Sequence, residues 1–227
     1  MTLIIAARCT DGVVIAGDRK IVDLATRDPI GYIPKLFGAL RNVIFGYAGS
    51  EDMFHVFLRY IVGDLVILRD DPQRYTNNNL VEKLSIAMHM LKKIRNRQDF
   101  ALEIMIARQF PNNGRSDLFV LNSHGIYDPV TEWSMIGKGE LIARSLVRNN
   151  WKTNMEMKEF AELSYCIIKY IEEKKLDDSV GTGLDKSSIS YLEDTDDFDT
   201  EPSDMEFKEF KQACSGYEKI FGDISAA

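Results

Sequence analysis

Two apolar runs, Leu3-Ile4-Ile5-Ala6-Ala7 and Val13-Val14-Ile15-Ala16-Gly17, stand on either side of Asp11-Gly12. An Asp-Gly pair between two strand-like runs is the strongest short-range signal for a β-hairpin, because the tight turn needs residues that accept positive φ. A hairpin constrains its flanks as well. Sequence does not fix the register, but Thr2, which opens the first run, and Asp18, which closes the second, must lie toward the same end. Thr2 follows the initiator methionine. Trimming Met1 would give it a free α-amine beside its own hydroxyl, so that one residue supplies both a nucleophile and a base. The start of the chain is therefore a candidate active site.

The bulk numbers narrow the classes. A chain of 227 residues suits one domain, or a domain with an appendage. An apolar share of 45% is normal for a globular core. A net charge of −7 argues against nucleic-acid or anionic-membrane partners, which need a basic face. No apolar run approaches the roughly 20 residues of a membrane helix. Arg8 interrupts the first apolar run and no basic segment precedes it, so a signal peptide is not expected. Cys9, Cys166 and Cys214 are few, odd in number and unclustered, which predicts neither a disulfide framework nor a zinc site and fits a reducing cytoplasm.

Along the chain, a turn-rich stretch (Asp28-Pro29, Gly31, Pro34) follows the hairpin. Lys35-Leu36-Phe37 and Asn42–Ala48 then read as a second strand pair. Ser50 is the expected N-cap of a helix carrying Glu51 and Asp52 in its first turn, where carboxylates favour the helix dipole. Leu80, Leu84, Ala87, Leu91 and Ile94 give a second helix from about Asn78, and its basic end, Lys92–Arg97, reads as a solvated face. A β meander is expected over Phe100–Arg108, Asp117–Leu121, Gly125–Asp128 and Trp133–Ile136, with turns at Asn112-Asn113-Gly114 and Ser123-His124-Gly125. Gly137-Lys138-Gly139 opens a helix to about Val147. Another helix spans Met155–Lys174, and Leu184–Leu192 reads as a strand. Asp194–Asp204 is acidic and turn-rich, a linker without the spacing of a calcium loop, and Met205–Ile220 reads as a short final helix. Residues 2–192 are thus expected to form the domain, and 193–227 an acidic linker with a helical extension. Strands, two helices, strands, two helices and a strand suggest an α+β fold with two mostly antiparallel sheets face to face and helix pairs outside.

Several segments together resemble one family. Thr2–Arg19 looks like the start of a mature proteasome β-type subunit, and Val13–Asp18 is especially similar to the bacterial HslV-type peptidase. Lys35-Leu36-Phe37 resembles that family's catalytic-lysine strand, and Gly46-Tyr47-Ala48-Gly49-Ser50 the strand end leading into the first helix. Ile136-Gly137-Lys138-Gly139-Glu140 resembles the turn before the third helix, and Asp177–Gly183 the segment after the fourth. The resemblance implies an N-terminal-nucleophile hydrolase with an αββα sandwich, built into a ring, a double ring or a helical oligomer.

By position, the resemblance makes Thr2 the nucleophile and pairs Asp18 with Lys35 beside it, where a cation lowers the effective pKa of the hydroxyl and holds the amine neutral. Gly49 would offer its N–H to the oxyanion. Tyr47 would line the pocket for the residue before the scissile bond, or else serve as a core aromatic. Asp177 keeps the family's acid. Two positions depart from the pattern. Lys138 stands where the family usually has a serine near the threonine amine, and it points to solvent, replaces the serine's contact or abolishes turnover. Val180 aligns with the later serine, one residue from Ser179.

The function implied is a threonine-type endopeptidase acting on peptides or unfolded proteins, with an ATPase as a possible partner. Its alternatives are an inactive scaffold subunit and an acyl-threonine transpeptidase. No cofactor is expected: His55, His89 and His124 have no metal-binding spacing, no Gly-x-Ser-x-Gly elbow occurs, and Gly137-Lys138-Gly139 is too short for a phosphate loop.

Overall fold

The computed structural model describes residues 2–23, 26, 28–40, 42–70, 77–95, 102–109, 115–181, 188–194, 203–204, 214, 217 and 221. The first hairpin pairs β1 (Leu3–Arg8) with β2 (Gly12–Gly17), with Ile4 opposite Gly17 and Arg8 opposite Val13. A short ribbon follows, β3 (Lys20–Val22) with β4 (Pro29–Tyr32), and then β5 (Leu36–Leu40) and β6 (Val43–Gly49). Helices α1 (Glu51–Asp70) and α2 (Asn77–Arg95) lead to strands β7 (Leu102–Gln109), β8 (Ser116–Leu121), β9 (Tyr127–Val130) and β10 (Trp133–Gly137). Helices α3 (Glu140–Asn150) and α4 (Met157–Glu173) precede β11 (Ile189–Glu193) and β12 (Ser203–Asp204).

The strands form two five-stranded antiparallel sheets, in the orders β10-β1-β2-β11-β12 and β5-β6-β7-β8-β9. The alternation of side chains along each strand sorts the apolar residues into three layers. Ile4, Ala6, Ile15, Ile44, Met105 and Ile136 fill the space between the sheets. Leu3, Ile5, Val14 and Ala16 turn the other way, onto α3 and α4. Phe45, Tyr47 and Ile104 meet Phe54, Phe57 and Leu84 of α1 and α2. Because β1 and β2 are covered on both faces, their sequences are apolar at almost every position. The result is the four-layer αββα sandwich expected from the order of elements.

The helices start where local chemistry permits. Ser50 Oγ accepts the Met53 N–H (3.4 Å) at the head of α1. At α4, Glu156 and Glu159 form a reciprocal capping box, and the hairpin residue Asp11 also accepts the Met157 N–H through Oδ1 (2.8 Å). The turn that closes the first hairpin therefore also anchors the helix packed behind it. Gly12 has φ +150, and a Cβ there would lie 2.1 Å from the Leu192 carbonyl oxygen, so β11 approaches too closely for any side chain.

Three sequence expectations change. The stretch from Asp28 to Pro34 is more than turns: Pro29 begins an exposed strand, a position that needs no ladder N–H from it. The acidic run contributes Ser203 and Asp204 as an edge strand on β11, while residues 195–202 lie outside the described residues. Cys166 of α4 forms a disulfide with Cys214, across 48 positions of sequence, leaving Cys9 as the buried free thiol. Of the final helix, Cys214 and Tyr217 are helical, as is Phe221 just beyond it. Tyr217 and Phe221 pack on α4, where the Tyr170 hydroxyl donates to the Phe221 carbonyl (3.3 Å). The turn at Asn112–Gly114, residues Asn96 and Arg97, and Thr182–Ser187 lie outside the described residues. Among the described residues no helix is long and apolar enough to cross a membrane.

The cysteine arrangement predicts a simple titration. Burial, with lesser contributions from Asp11 and Glu159, pushes the Cys9 thiol up to about 12. Thiolate is the reactive form, so below pH 9 the folded, unreduced protein should react with Ellman's reagent about a thousandfold more slowly than the same protein in denaturant. Unfolding without reductant should release one thiol, and unfolding with reductant should release three. Three thiols without reductant would contradict the disulfide.

Candidate active site

The hairpin register puts Leu3 beside Asp18 at the open end of β1 and β2. The Asp18 N–H donates to the Leu3 carbonyl (3.0 Å), and the Leu3 N–H donates back to Asp18 Oδ1 (2.7 Å). That Leu3 amide is the peptide link to Thr2, so the carboxylate holds the nitrogen immediately after the candidate nucleophile. Thr2 itself is 2% exposed.

Lys35, at the entrance to β5, reaches the same carboxylate. Its Nζ donates to Asp18 Oδ1 (2.9 Å) and Oδ2 (3.0 Å), and to the Lys20 carbonyl (2.8 Å). Asp18 Oδ2 also accepts the Lys20 N–H (3.2 Å), and the Gly181 N–H donates to the carboxylate. Both charged groups are buried, Asp18 at 0% and Lys35 at 3% exposure. Burial raises the Asp18 carboxyl above its ordinary value and lowers the Lys35 ammonium, and attraction between the two opposes both shifts. A buried pair of this kind is tolerable only because its hydrogen-bonding capacity is met.

The far side of Thr2 is held by the β10 end. The Lys138 N–H donates to the Thr2 carbonyl (3.0 Å). Gly137 has φ +97, and a Cβ there would lie 2.0 Å from the Thr2 carbonyl oxygen and 3.2 Å from the Ala48 Cβ. Thr2 is thus gripped through main-chain groups on both sides, and β6 is brought next to it. Gly49, the residue after Ala48, is exposed, has φ +124 and precedes α1. The Lys138 side chain is exposed, and its backbone N–H holds Thr2.

Asp177 is occupied within its own turn. It accepts the Ser179 N–H (2.8 Å) and the Ser179 hydroxyl through Oδ1, and its carbonyl accepts the Val180 N–H (3.2 Å). Val180 is fully buried, and a Cβ on Gly139 would sit 2.8 Å from its Cγ2. The turn therefore packs against the Gly137–Gly139 corner. Tyr47 faces the helices: its ring stacks on Phe54 (4.4 Å between centroids) at 1% exposure. Its hydroxyl is buried without a hydrogen-bond partner among the described residues. Burial, with Glu51 and Asp18 nearby, raises the phenol's pKa.

The structure gathers Thr2, Asp18, Lys35, Lys138 and the Asp177 turn around one end of the sandwich, with Gly49 on the neighbouring strand. Sequence reasoning missed Lys20, Gly181 and Gly137 as contributors. Lys20 and Gly181 act through backbone groups, and Gly137 through its lack of a side chain, so only the glycines left a mark in the sequence. Among the described residues no cluster of His, Cys, Asp and Glu is placed to hold a metal ion.

No curated protein matches the sequence. Solved structures do resemble the fold. The Gly-1 mutant of Anbu from Hyphomicrobium sp. strain MC1 superposes with a TM-score of 0.75 at 16% identity, over 100% of this chain and 97% of that one. Anbu, described as an ancestral beta-subunit, from Yersinia bercovieri gives a TM-score of 0.70 at 14% identity, over 99% and 97%. At these identities the likeness is one of fold. The sequence itself matches the family model for proteasome subunits over residues 2–181. With four fifths of its length matched and the same sandwich around Thr2, the chain belongs to the proteasome subunit family of N-terminal-nucleophile hydrolases.

Proposed function

We propose that this protein is a threonine-type endopeptidase whose nucleophile, Thr2, is freed by removal of Met1. The observation that carries this reading is the double hold on Thr2, by the Asp18 carboxylate through the Leu3 N–H and by the Lys138 N–H through its own carbonyl. A strand-opening threonine with only a structural role needs neither a buried Asp–Lys pair behind it nor a glycine pressed against its carbonyl.

In the proposed mechanism the Thr2 hydroxyl attacks the substrate carbonyl carbon while the free α-amine takes its proton. The oxyanion is met by the Gly49 N–H at the head of α1. The amine then returns the proton to the departing peptide nitrogen, and water hydrolyses the acyl-threonine ester. Lys35 and Asp18 supply the local field that favours the neutral amine, and the Asp177 turn supports the corner that holds Thr2. Of the two readings of Tyr47, its burial against Phe54 supports the core aromatic rather than a residue lining the substrate pocket. No step calls for a cofactor.

Self-assembly into a ring, double ring or helical oligomer follows from membership of a self-assembling family, with an ATPase as a possible partner for unfolding substrates. The cytoplasmic setting read from unpaired cysteines loses that support with the Cys166–Cys214 bond, and residues 193–227 read as an extension to the hydrolase domain. A scaffold subunit without activity is the second reading. Its support is the exposed Lys138 side chain and the buried Val180 in place of two serines.

Intact mass after incubation with a β-lactone or epoxyketone decides between them. The peptidase reading expects loss of Met1 and one adduct mapped to Thr2, absent from Thr2→Ala. Trimmed protein that takes no adduct overturns it. Protein that keeps Met1 and stays unlabelled supports the scaffold.

A further inference from the structure

A covalent bond ties the C-terminal segment to the helix behind the site. Cys214 is joined to Cys166 of α4 across 48 positions of sequence, and both residues are buried. One turn further along α4, the Tyr170 hydroxyl donates to the Phe221 carbonyl (3.3 Å), and the two rings meet edge to face (5.2 Å between centroids). Tyr217 stacks on Phe221 in turn (5.7 Å). Cys166, Tyr170, Ile171, Cys214 and Phe221 belong to one buried cluster, which also contains Val180. The segment therefore covers the second half of α4, and that half leads into the turn beside Thr2.

The connection is close. The Leu176 N–H donates to the Ile171 carbonyl (3.0 Å), and the Val180 N–H to the Asp177 carbonyl (3.2 Å). Val180 then fills the room that Gly139 leaves: a Cβ on Gly139 would lie 2.8 Å from Val180 Cγ2 and 3.2 Å from Leu3 Cβ. Gly181 is wedged between α4 and the residue that brackets the buried ion pair. A Cβ on it would lie 2.8 Å from Glu172 Oε1 and 2.5 Å from Lys20 Cδ. The N–H of Lys20 donates to Asp18, and its carbonyl accepts from Lys35.

We propose that the Cys166–Cys214 bond is a redox latch on the active site: closed, it holds the C-terminal segment on α4 and keeps the Asp177–Gly181 turn seated, and opened by a dithiol reductant it loosens both. The opening step is thiol–disulfide exchange. A thiolate of the reductant attacks Cys214 Sγ, the S–S bond breaks, and Cys166 leaves as a thiolate that takes up a proton. The reductant's second thiol then displaces Cys214, which is protonated in the same way. Two electrons and two protons pass to the protein, and the reductant is oxidised to its cyclic disulfide. The ring contacts and the Tyr170 hydrogen bond survive this step, but the segment loses the constraint that returns it to α4 after each local opening. Each opening uncovers Tyr170 and the last turn of α4, and with them the seat of the turn that packs on Gly139 and Lys20.

The latch rests on the peptidase reading for its effect on Thr2 but not for its effect on the turn, and the test separates the two. Oxidised protein is compared with protein reduced by dithiothreitol and then freed of it, by the rate of β-lactone acylation at Thr2 and by hydrogen exchange of the Leu176 and Val180 amides. Reduction should slow acylation about tenfold and speed exchange of both amides by a similar factor, and reoxidation with oxidised glutathione should restore both. Cys214→Ala should match the reduced protein and ignore the reductant. Unchanged acylation on reduction overturns the inference, as does faster exchange confined to residues 214–221, or a Cys214→Ala variant that still responds to dithiothreitol. Should oxidised wild type take no label, the peptidase reading fails, and exchange alone decides the latch: unchanged Leu176 and Val180 amides on reduction remove it, and faster exchange restored by oxidation keeps it.

Discussion

Lys35→Ala should lose about 3–5 kcal/mol of stability at neutral pH and all reactivity at Thr2, because it strands a fully buried carboxylate. The sign of the pH dependence follows from Asp18. Burial already holds its folded carboxyl above the ordinary value, and losing the ammonium raises it further. A carboxyl raised on folding binds more protons in the native state, so its penalty is full at neutral pH and shrinks as pH falls through the raised value. Urea unfolding of the variant at neutral and at mildly acidic pH should therefore show the deficit narrowing in acid. A companion, Asp18→Asn with Lys35→Met, removes both charges and keeps an oxygen for the Leu3 N–H. It should recover most of the stability and none of the acylation. A Lys35→Ala variant as stable as wild type would mean that the pair is not buried as described.

Gly137→Ala should be nearly as damaging by a different route. At φ +97 an L side chain is strained by about 1–2 kcal/mol. The larger effect is the new Cβ, placed 2.0 Å from the Thr2 carbonyl oxygen. The neighbour is backbone, so no rotamer relieves the contact, and Thr2 or the whole corner must move by an ångström or more. Acylation should fall about a hundredfold or further. Gly31→Ala is the control, since nothing lies within 4 Å of a Cβ there. A Gly137→Ala variant that acylates like wild type would show that the corner does not set the position of Thr2.

Much of this was legible beforehand, for reasons that differ by element. The Asp11-Gly12 turn told that Thr2 and Asp18 share an end, since turn chemistry is local and residue-specific. The helices showed in their spacing of Phe54, Phe57 and Ile61, and of Leu80, Leu84 and Leu91. Lys35 could be linked to Asp18 only by resemblance, because no local rule reports which lysine crosses from one sheet to the other. The β3–β4 ribbon was hidden by Pro29 and Gly31, which read as turns although an exposed two-stranded ribbon tolerates both. The Cys166–Cys214 bond was hidden by distance along the chain.

The pairing order carries a consequence for the newly made chain. The segment after Thr2 is an interior strand, flanked by β10 and β2. On its outer edge Leu3 pairs with Gly137, and on the other outer edge Ala16 pairs with Ile189. This hairpin therefore waits with both edges open until nearly the whole domain has been synthesised, a route expected to be slow and exposed to misassociation. The same delay is protective. The parts that grip Thr2 come from the beginning, middle and end of the domain, so a half-made chain has no assembled site, and any reactivity begins only once folding is finished.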